Sequence, residues 1–354
     1  MNFKIGKMVP ARLILQNGET YEGVSPPWQK GHYFGEVVFT TGMVGYVESL
    51  TDPSYAGQIL VFTFPLIGNY GVPKRELWES HTIQVSGVVL SQLSPFHSHY
   101  EAEKSLLDWL KEYKIPLLCQ VDTRALTKSL RKEGVALGVI SHEKTAPKTF
   151  FDPNATDLVS KVSCRKAVEH GFGKKKIILV DCGVKQNILR CLLQFPLRVK
   201  QVPHDYDYTQ EDYDGLFLSN GPGDPMLCTQ TAAILKKALL KNKPIFGICL
   251  GAQILALSIG AKTYKLPYGH RGQNQPCQLQ ESKRCYLTSQ NHGYAIEEKT
   301  LPPDWKVTFR NLNDLSVEGI AHCNRPFFAV QFHPEASPGP VDPMYLFQQF
   351  YELL

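Results

Sequence analysis

Ile245-Phe-Gly-Ile-Cys249-Leu-Gly-Ala-Gln253 is the stretch on which the reading of this chain turns. The apolar run from Pro244 to Ile248 has the length of a buried strand, and Gln253 to Ile259 reads as a helix. One Cys stands between them, with Gly247 two residues before it and Gly251 two after. That is the layout of a strand–turn–helix elbow presenting a nucleophile. The turn needs strained backbone angles, and small flanking residues let neighbouring backbone crowd it. A thiol at a helix N-terminus has its thiolate favoured by the helix dipole. The competing reading is a buried structural cysteine, a common fate of free Cys. On this stretch alone the two readings stand level.

Working outward, a chain of 354 residues is long for one core and suggests two domains. Its composition is that of a soluble globular protein. The net charge of +5 is small for the length, and Lys174–Lys176 is the longest basic run. A solvated approach to the next strand explains that run, so nucleic-acid binding is not expected. The nine Cys include no Cys-x-x-Cys pair, so no structural zinc site, and no other metal, is expected. Their odd number, without a secretory signal, fits reduced thiols and a cytoplasmic location. Pro244 to Ala261 runs without a charged residue and mimics a membrane span. Its internal Gly247, Gly251, Gln253 and Gly260 argue for a buried strand, turn and helix instead.

The first half reads as mixed α/β. Leu13–Leu15 is followed by Asn17-Gly18, a hairpin-turn dipeptide. Apolar runs follow at 36–40, 59–63 and 83–90, with helical patterns over 105–114 and 123–132. Between 144 and 173 the chain turns polar, and part of this stretch reads as a connection. The expected organisation is therefore a first domain over 1–150, a linker over 151–173 and a second domain over 174–354. The second domain is more regular. Strands at 176–181, 215–219 and 244–248 alternate with helices near 186–194 and 229–241. Such alternation implies a doubly wound, mostly parallel sheet, preceded here by the smaller mixed α/β domain. Ligands bind such sheets at the carboxyl ends of strands, where Asp181, Gly221–Gly223 and Cys249 all fall.

A thiolate nucleophile needs a base, and the base an orienting group. Phe327-Phe-Ala-Val-Gln-Phe-His333-Pro-Glu335 ends an apolar run on a His with a carboxylate two residues on. That carboxylate can fix the imidazole tautomer and stabilise imidazolium. The plainer reading is a loop His beside a surface Glu. The order nucleophile, His, acid also differs from the α/β-hydrolase order. Asn220-Gly-Pro-Gly-Asp-Pro225 lets backbone N–H groups face a ligand. With the N–H of Leu250 it could make an oxyanion hole. Alone it is equally an ordinary Pro/Gly turn, and it lacks the Gly-Lys-Ser/Thr of a phosphate loop.

Taken together, Gly247–Gln253, His333-Pro-Glu335 and Asn220–Pro225 resemble the class I glutamine amidotransferase domain. Asp181-Cys-Gly-Val-Lys-Gln-Asn-Ile-Leu-Arg190 and Ser289-Gln-Asn-His-Gly-Tyr294 are similar to the glutamine-hydrolysing small subunits of carbamoyl-phosphate synthetases. So are three stretches of the first half: 41–55, Pro65-Leu-Ile-Gly-Asn-Tyr-Gly71 and Val121-Asp-Thr-Arg-Ala-Leu-Thr127. The resemblance covers nearly the whole chain. It implies that Cys249 attacks the carboxamide carbon of glutamine, that His333 moves the protons and that Glu335 orients His333. It also implies oxyanion donors at Leu250 and Gly221, and a glutamine site lined by Gly223, Gln253, Asn291, Gly293 and Tyr294. Side-chain amides and backbone N–H groups suit the α-amino and α-carboxylate groups of that substrate.

Two positions depart from the family pattern. Bacterial relatives often carry a glutamine-contacting Ser where this chain has Gly42, which offers no hydroxyl; Thr40 or Thr41 is the alternative source. Relatives often have His after the elbow Gly, where this chain has Ala252. The stretches 41–46, Asn69-Tyr70 and 271–276 look closer to the glutaminase part of the fused eukaryotic pyrimidine-pathway enzyme. The chain contains no ATP-binding signature, so the resemblance implies no cofactor here. ATP and Mg would act on a large synthetase subunit, in a heterodimer or higher oligomer, with ammonia passing between the subunits through a tunnel. The chain is then a separate subunit or a piece of a longer polypeptide. The alternatives are a glutaminase serving another synthetase, a catalytically silent regulatory subunit, and a cysteine esterase or peptidase on a similar sheet.

Overall fold

Two compact units, Met1–Ala155 and Thr156–Leu354, divide the chain. The computed structural model describes residues 7–143 and 147–354. The polar stretch expected to connect the halves therefore begins, at 144–146, outside the described residues.

In the first unit, β1 (Val9–Leu15) and β2 (Thr20–Ser25) form the hairpin that Asn17-Gly18 announces, with Gly18 at φ +91°. The remaining strands are β3 (His32–Thr40), β4 (Gln58–Phe62), β5 (Leu66–Ile67), β6 (Gly87–Val89), β7 (Gln92–Leu93), β8 (Leu117–Leu118) and β9 (Ala136–Ser141). Seven of them make one sheet in the order β2-β1-β9-β3-β4-β6-β8. It is antiparallel from β2 to β3 and parallel from β3 to β8. Helix α1 is Tyr46–Thr51; α2 (Leu106–Glu112) and α3 (Thr123–Glu133) fill the two helical patterns. Ser105 and Asp122 cap the latter two by accepting from the N–H groups of Asp108 and Ala125.

In the second unit, β10 (Val168–His170) and α4 (Val159–Val162) lie within the stretch expected as linker. They join the unit because β10 pairs antiparallel with β12 (Leu197–Pro203). The parallel core is β12, β11 (Lys175–Asp181), β13 (Gly215–Leu218), β14 (Ile245–Ile248) and β19 (Phe327–Val330), in that order. Successive strand residues point to opposite faces. Ile178, Val180, Leu216, Leu218 and Ile245 accordingly enter one apolar core, with α6 (Thr229–Ala238) and α7 (Leu250–Ser258). Ile177, Leu179, Phe217, Phe246 and Ile248 enter another, with α5 (Gln186–Leu192) and α8 (Tyr345–Leu353). Both faces are covered, which is the doubly wound arrangement.

Beyond β19 the sheet turns antiparallel. β18 (Val317–His322), β16 (Cys285–Glu297), β15 (Lys262–Leu279) and β17 (Trp305–Asn311) follow, and β17 also pairs with β18. The parallel expectation thus describes the core and not this half. The uncharged stretch 244–261 is strand, turn and helix. Among the described residues no helix is long and apolar enough to cross a membrane.

The helix expected from Gln253 starts at Leu250, because the elbow leaves only Cys249 between strand and helix. Cys249 itself takes φ +54° and ψ −107°. The glycines around it are dictated by close backbone approach. A Cβ on Gly247 would lie 2.8 Å from the Gly251 carbonyl carbon, and one on Gly251 would lie 2.4 Å from the Leu218 carbonyl oxygen. Neither neighbour is a flexible side-chain end, so relief needs movement of strand or helix. We expect Gly251→Ala to lower unfolding stability by about 2 kcal/mol or more, read as a shift in denaturant midpoint. An unchanged midpoint would contradict this packing.

Candidate functional site

The elbow places the Cys249 thiol at the carboxyl end of β14, on the first turn of α7. Its N–H donates to the Val330 carbonyl at 2.8 Å, locking the turn to β19. Its Sγ donates to the Asn291 carbonyl on β16 at 3.6 Å. Three residues past the end of β19, the His333 N–H donates to the Ser289 carbonyl at 2.8 Å. That bridge carries the imidazole to the same end of the sheet.

The His333 and Glu335 side chains are buried and meet at 2.6 Å between Nδ1 and Oε1. The plainer reading of a solvated surface pair is therefore excluded by burial. Burial pushes the imidazolium toward losing its proton. The Glu335 carboxylate, with a contribution from Cys249, outweighs it and raises the His333 pKa to about 10. Although Cys249 contributes to that shift, His333 Nε2 makes no well-formed hydrogen bond. The thiol sulfur instead points at the Asn291 carbonyl, so a rotation of Sγ is needed to bring it to Nε2. Resting sites commonly show such loose geometry.

Lys185 completes the constellation and was not singled out from sequence. Its Nζ lies 3.0 Å from Glu335 Oε1 and donates to the Ala336 carbonyl at 2.6 Å, with the whole side chain buried. Asn187 Nδ2 donates to the Glu335 carbonyl at 2.6 Å. Burial works against the Glu335 carboxylate, but Lys185 first and His333 second hold its pKa down to about 2. The row is thus ammonium, carboxylate, imidazole, with the thiol beyond. The sequence signal for Lys185 is its place inside the family-like stretch Asp181–Arg190, between the end of β11 and α5. Asp181, at that strand end, has a structural task. Its carboxylate accepts from the N–H groups of Cys164, Gly183 and Val184 and from the Gln201 amide.

Gly221 sits where a Cβ would be 2.7 Å from the Leu250 side chain and 2.1 Å from the Cys182 carbonyl oxygen. The β13 loop and the start of α7 are therefore in contact. Gly223 adopts φ +87° beside Leu158. Gln253 is buried, and its Nε2 donates to the Tyr294 carbonyl at 3.0 Å and to Gln331 Oε1 at 3.1 Å. It thereby ties α7 to the strand bearing Asn291, Gly293 and Tyr294. All these residues lie in the second unit. Ala252, the departure after the elbow, packs in its apolar core. Gly42 belongs to the first unit, in the loop after β3, where its N–H donates to Thr40 Oγ1 at 3.3 Å. The N–H groups of Gly45 and Tyr46 both donate to the Tyr70 hydroxyl, which fixes the end of that loop.

A base beside a thiol and a buried orienting carboxylate can perform acyl transfer to sulfur. Comparison with known proteins agrees in kind. A profile described as glutamine amidotransferase class-I matches residues 178–353. One described as carbamoyl-phosphate synthase small chain, CPSase domain, matches residues 13–140. The carbamoyl phosphate synthase arginine-specific small chain of Saccharomyces cerevisiae is 46% identical over 97% of this chain and 88% of its own length. Its counterpart in Schizosaccharomyces pombe is 47% identical over 96% of this chain and 86% of its own length. The multifunctional protein CAD of Squalus acanthias is 48% identical over 97% of this chain but only 16% of its own length. The chain spans about a sixth to a fifth of such multifunctional relatives.

The buried charges set a pH window. Glu335 adds stability that is present above about pH 4.5 and is lost as pH falls through about 2. His333 adds stability that is present below about pH 6.5 and is lost as pH rises through about 10. Removing the ammonium in Lys185→Met should raise the Glu335 pKa and move the acid-unfolding midpoint to higher pH. Breaking a buried pair should also cost about 3–5 kcal/mol in denaturant unfolding at neutral pH. An acid midpoint identical to that of the unchanged protein would contradict the ion pair.

Proposed function

We propose a function from one premise: the chain belongs to the carbamoyl-phosphate synthase small-chain family and ends in a class I glutamine amidotransferase domain. It is the glutaminase component of a carbamoyl-phosphate synthase, hydrolysing L-glutamine to glutamate and ammonia. The observation that carries this reading is the buried row of Lys185, Glu335 and His333 ending beside the Cys249 elbow.

In this mechanism the thiol proton resides on His333, whose raised pKa keeps it there, and Cys249 Sγ bonds as the thiolate to the glutamine carboxamide carbon. The oxygen, now an anion, accepts from the N–H groups of Leu250 and Gly221. The carbon–nitrogen bond breaks as His333 returns a proton to the departing nitrogen, releasing ammonia and leaving a γ-glutamyl thioester. Water then gives a proton to His333 and bonds to the thioester carbon. The carbon–sulfur bond breaks, glutamate leaves and the thiolate beside protonated His333 is restored. Glu335 holds the imidazole in orientation and offsets its charge, while Lys185 keeps Glu335 ionised. Gly223, Gln253, Asn291, Gly293 and Tyr294 would line the glutamine site. A large synthetase chain, holding ATP and Mg, would receive the ammonia and join it to bicarbonate.

Ammonia release from glutamine should fall at least about a thousandfold in Cys249→Ser, a variant that keeps size and burial. Equal release by the two proteins contradicts the mechanism. Addition of the ATP-dependent synthetase chain should raise the rate of the unchanged protein, since docking can complete a site.

A further inference from the structure

The antiparallel half of the second sheet buries a constellation that glutamine hydrolysis does not use. His270 on β15 and His292 on β16 stand directly opposite in register, so their side chains share one face. Their rings cross at 82°, with centroids 4.9 Å apart. The ladder shifts register on both sides of this pair, between Lys265 and His270 and between Gly272 and Gln275. Such irregularities re-aim side chains. Glu318 on β18 reaches both rings. Its Oε1 lies 3.2 Å from His270 Nδ1 and 3.5 Å from His292 Nε2. All three residues are buried, Glu318 completely.

The other nitrogen of each ring is already committed. His292 Nδ1 lies 2.8 Å from the Tyr294 carbonyl, which only accepts, so Nδ1 carries the proton and Nε2 a lone pair. That lone pair faces the Glu318 carboxylate. His270 Nε2 lies 2.9 Å from Asp314 Oδ2, which directs Nδ1 at Glu318. The second carboxylate oxygen of Glu318 is buried without a partner. Once His270 gives up the proton on Nδ1, electron pairs converge from three strands. Asp314 and Glu318 bring two negative charges, and a proton on His270 would offset one. A divalent cation offsets both.

We propose that His270 Nδ1, His292 Nε2 and the Glu318 carboxylate bind one zinc ion. Imidazole and carboxylate ligands suit zinc, whereas two imidazoles disfavour magnesium and calcium. Bonds of about 2.0–2.1 Å in a tetrahedron set ligand atoms roughly 3.3 Å apart. The two separations from Glu318 Oε1, 3.2 and 3.5 Å, bracket that value, and all three ligand atoms lie within 4.8 Å of one another. Asp314 and the Tyr294 carbonyl are the outer partners that fix ring orientation in zinc sites. Gln290 Oε1, 3.2 Å from His292 Nε2, stands near enough to supply a fourth ligand. The ion would clamp β15, β16 and β18 together and so hold the strand carrying Asn291 beside Cys249.

The test strips the full chain with a chelator, offers one equivalent of zinc, dialyses, and compares it with Glu318→Gln. Metal content should be one zinc per chain, lost in the variant. Zinc should raise the thermal midpoint of the unchanged protein and not that of the variant. X-ray absorption of the loaded, unchanged protein should show only nitrogen and oxygen at about 2.0–2.1 Å, with imidazole scattering. That spectrum decides the matter even if Glu318→Gln fails to fold. No retained zinc, equal zinc in both proteins, or sulfur at about 2.3 Å overturns the proposal. Sulfur would assign the metal to thiols such as the exposed Cys285 and Cys323. None of these readouts depends on glutamine turnover.

Discussion

Backbone contact at the elbow is the constraint from which the second unit is built. Gly251 on the first turn of α7 lies against the Leu218 carbonyl of β13, and Gly247 of β14 lies against Gly251. Any side chain would push the helix off the sheet. The close approach sets where α7 begins, and with it the positive φ of Cys249. The same crowding brings Gly221 of the neighbouring loop against Leu250. Local strain at one non-glycine residue is thus held by surrounding packing, a pattern that clusters at reactive sites.

Around this apolar scaffold the chain buries charge, which is costly unless each charge has a partner. Lys185, Glu335 and His333 meet that condition as a row from helix start to loop. The ammonium outweighs the burial penalty on the carboxylate, and the carboxylate outweighs the penalty on the imidazolium. Burial depresses the His292 pKa, whereas at His270 the hydrogen bonds it donates to Asp314 and Glu318 outweigh burial and raise its pKa to about 9.

What could be read beforehand was local in sequence. The elbow lies within nine residues, and His333 and Glu335 are two apart, so spacing raised them as candidates and the family resemblance of the combined motifs decided between the readings. The parallel strands were legible because burial on both faces makes them continuous apolar runs. β15 and β16 were not. Pro267, Gly269, Gly272 and Pro276 break β15, and its stability comes from pairing along its length with β16. Lys185 was missed because its partner Glu335 lies on a distant segment, and a lysine after a strand ordinarily faces solvent. His270, His292 and Glu318 come from three strands and share no motif, so only the fold brings them together.

The account stands or falls on the chemistry proposed at Cys249. The most direct measurement is mass spectrometry of the chain quenched in acid during turnover of glutamine, followed by digestion. It predicts a γ-glutamyl group on the peptide bearing Cys249, absent before substrate is added and lost on longer incubation as water cleaves the thioester. Turnover with no adduct at Cys249, or with the adduct on another residue, would contradict it.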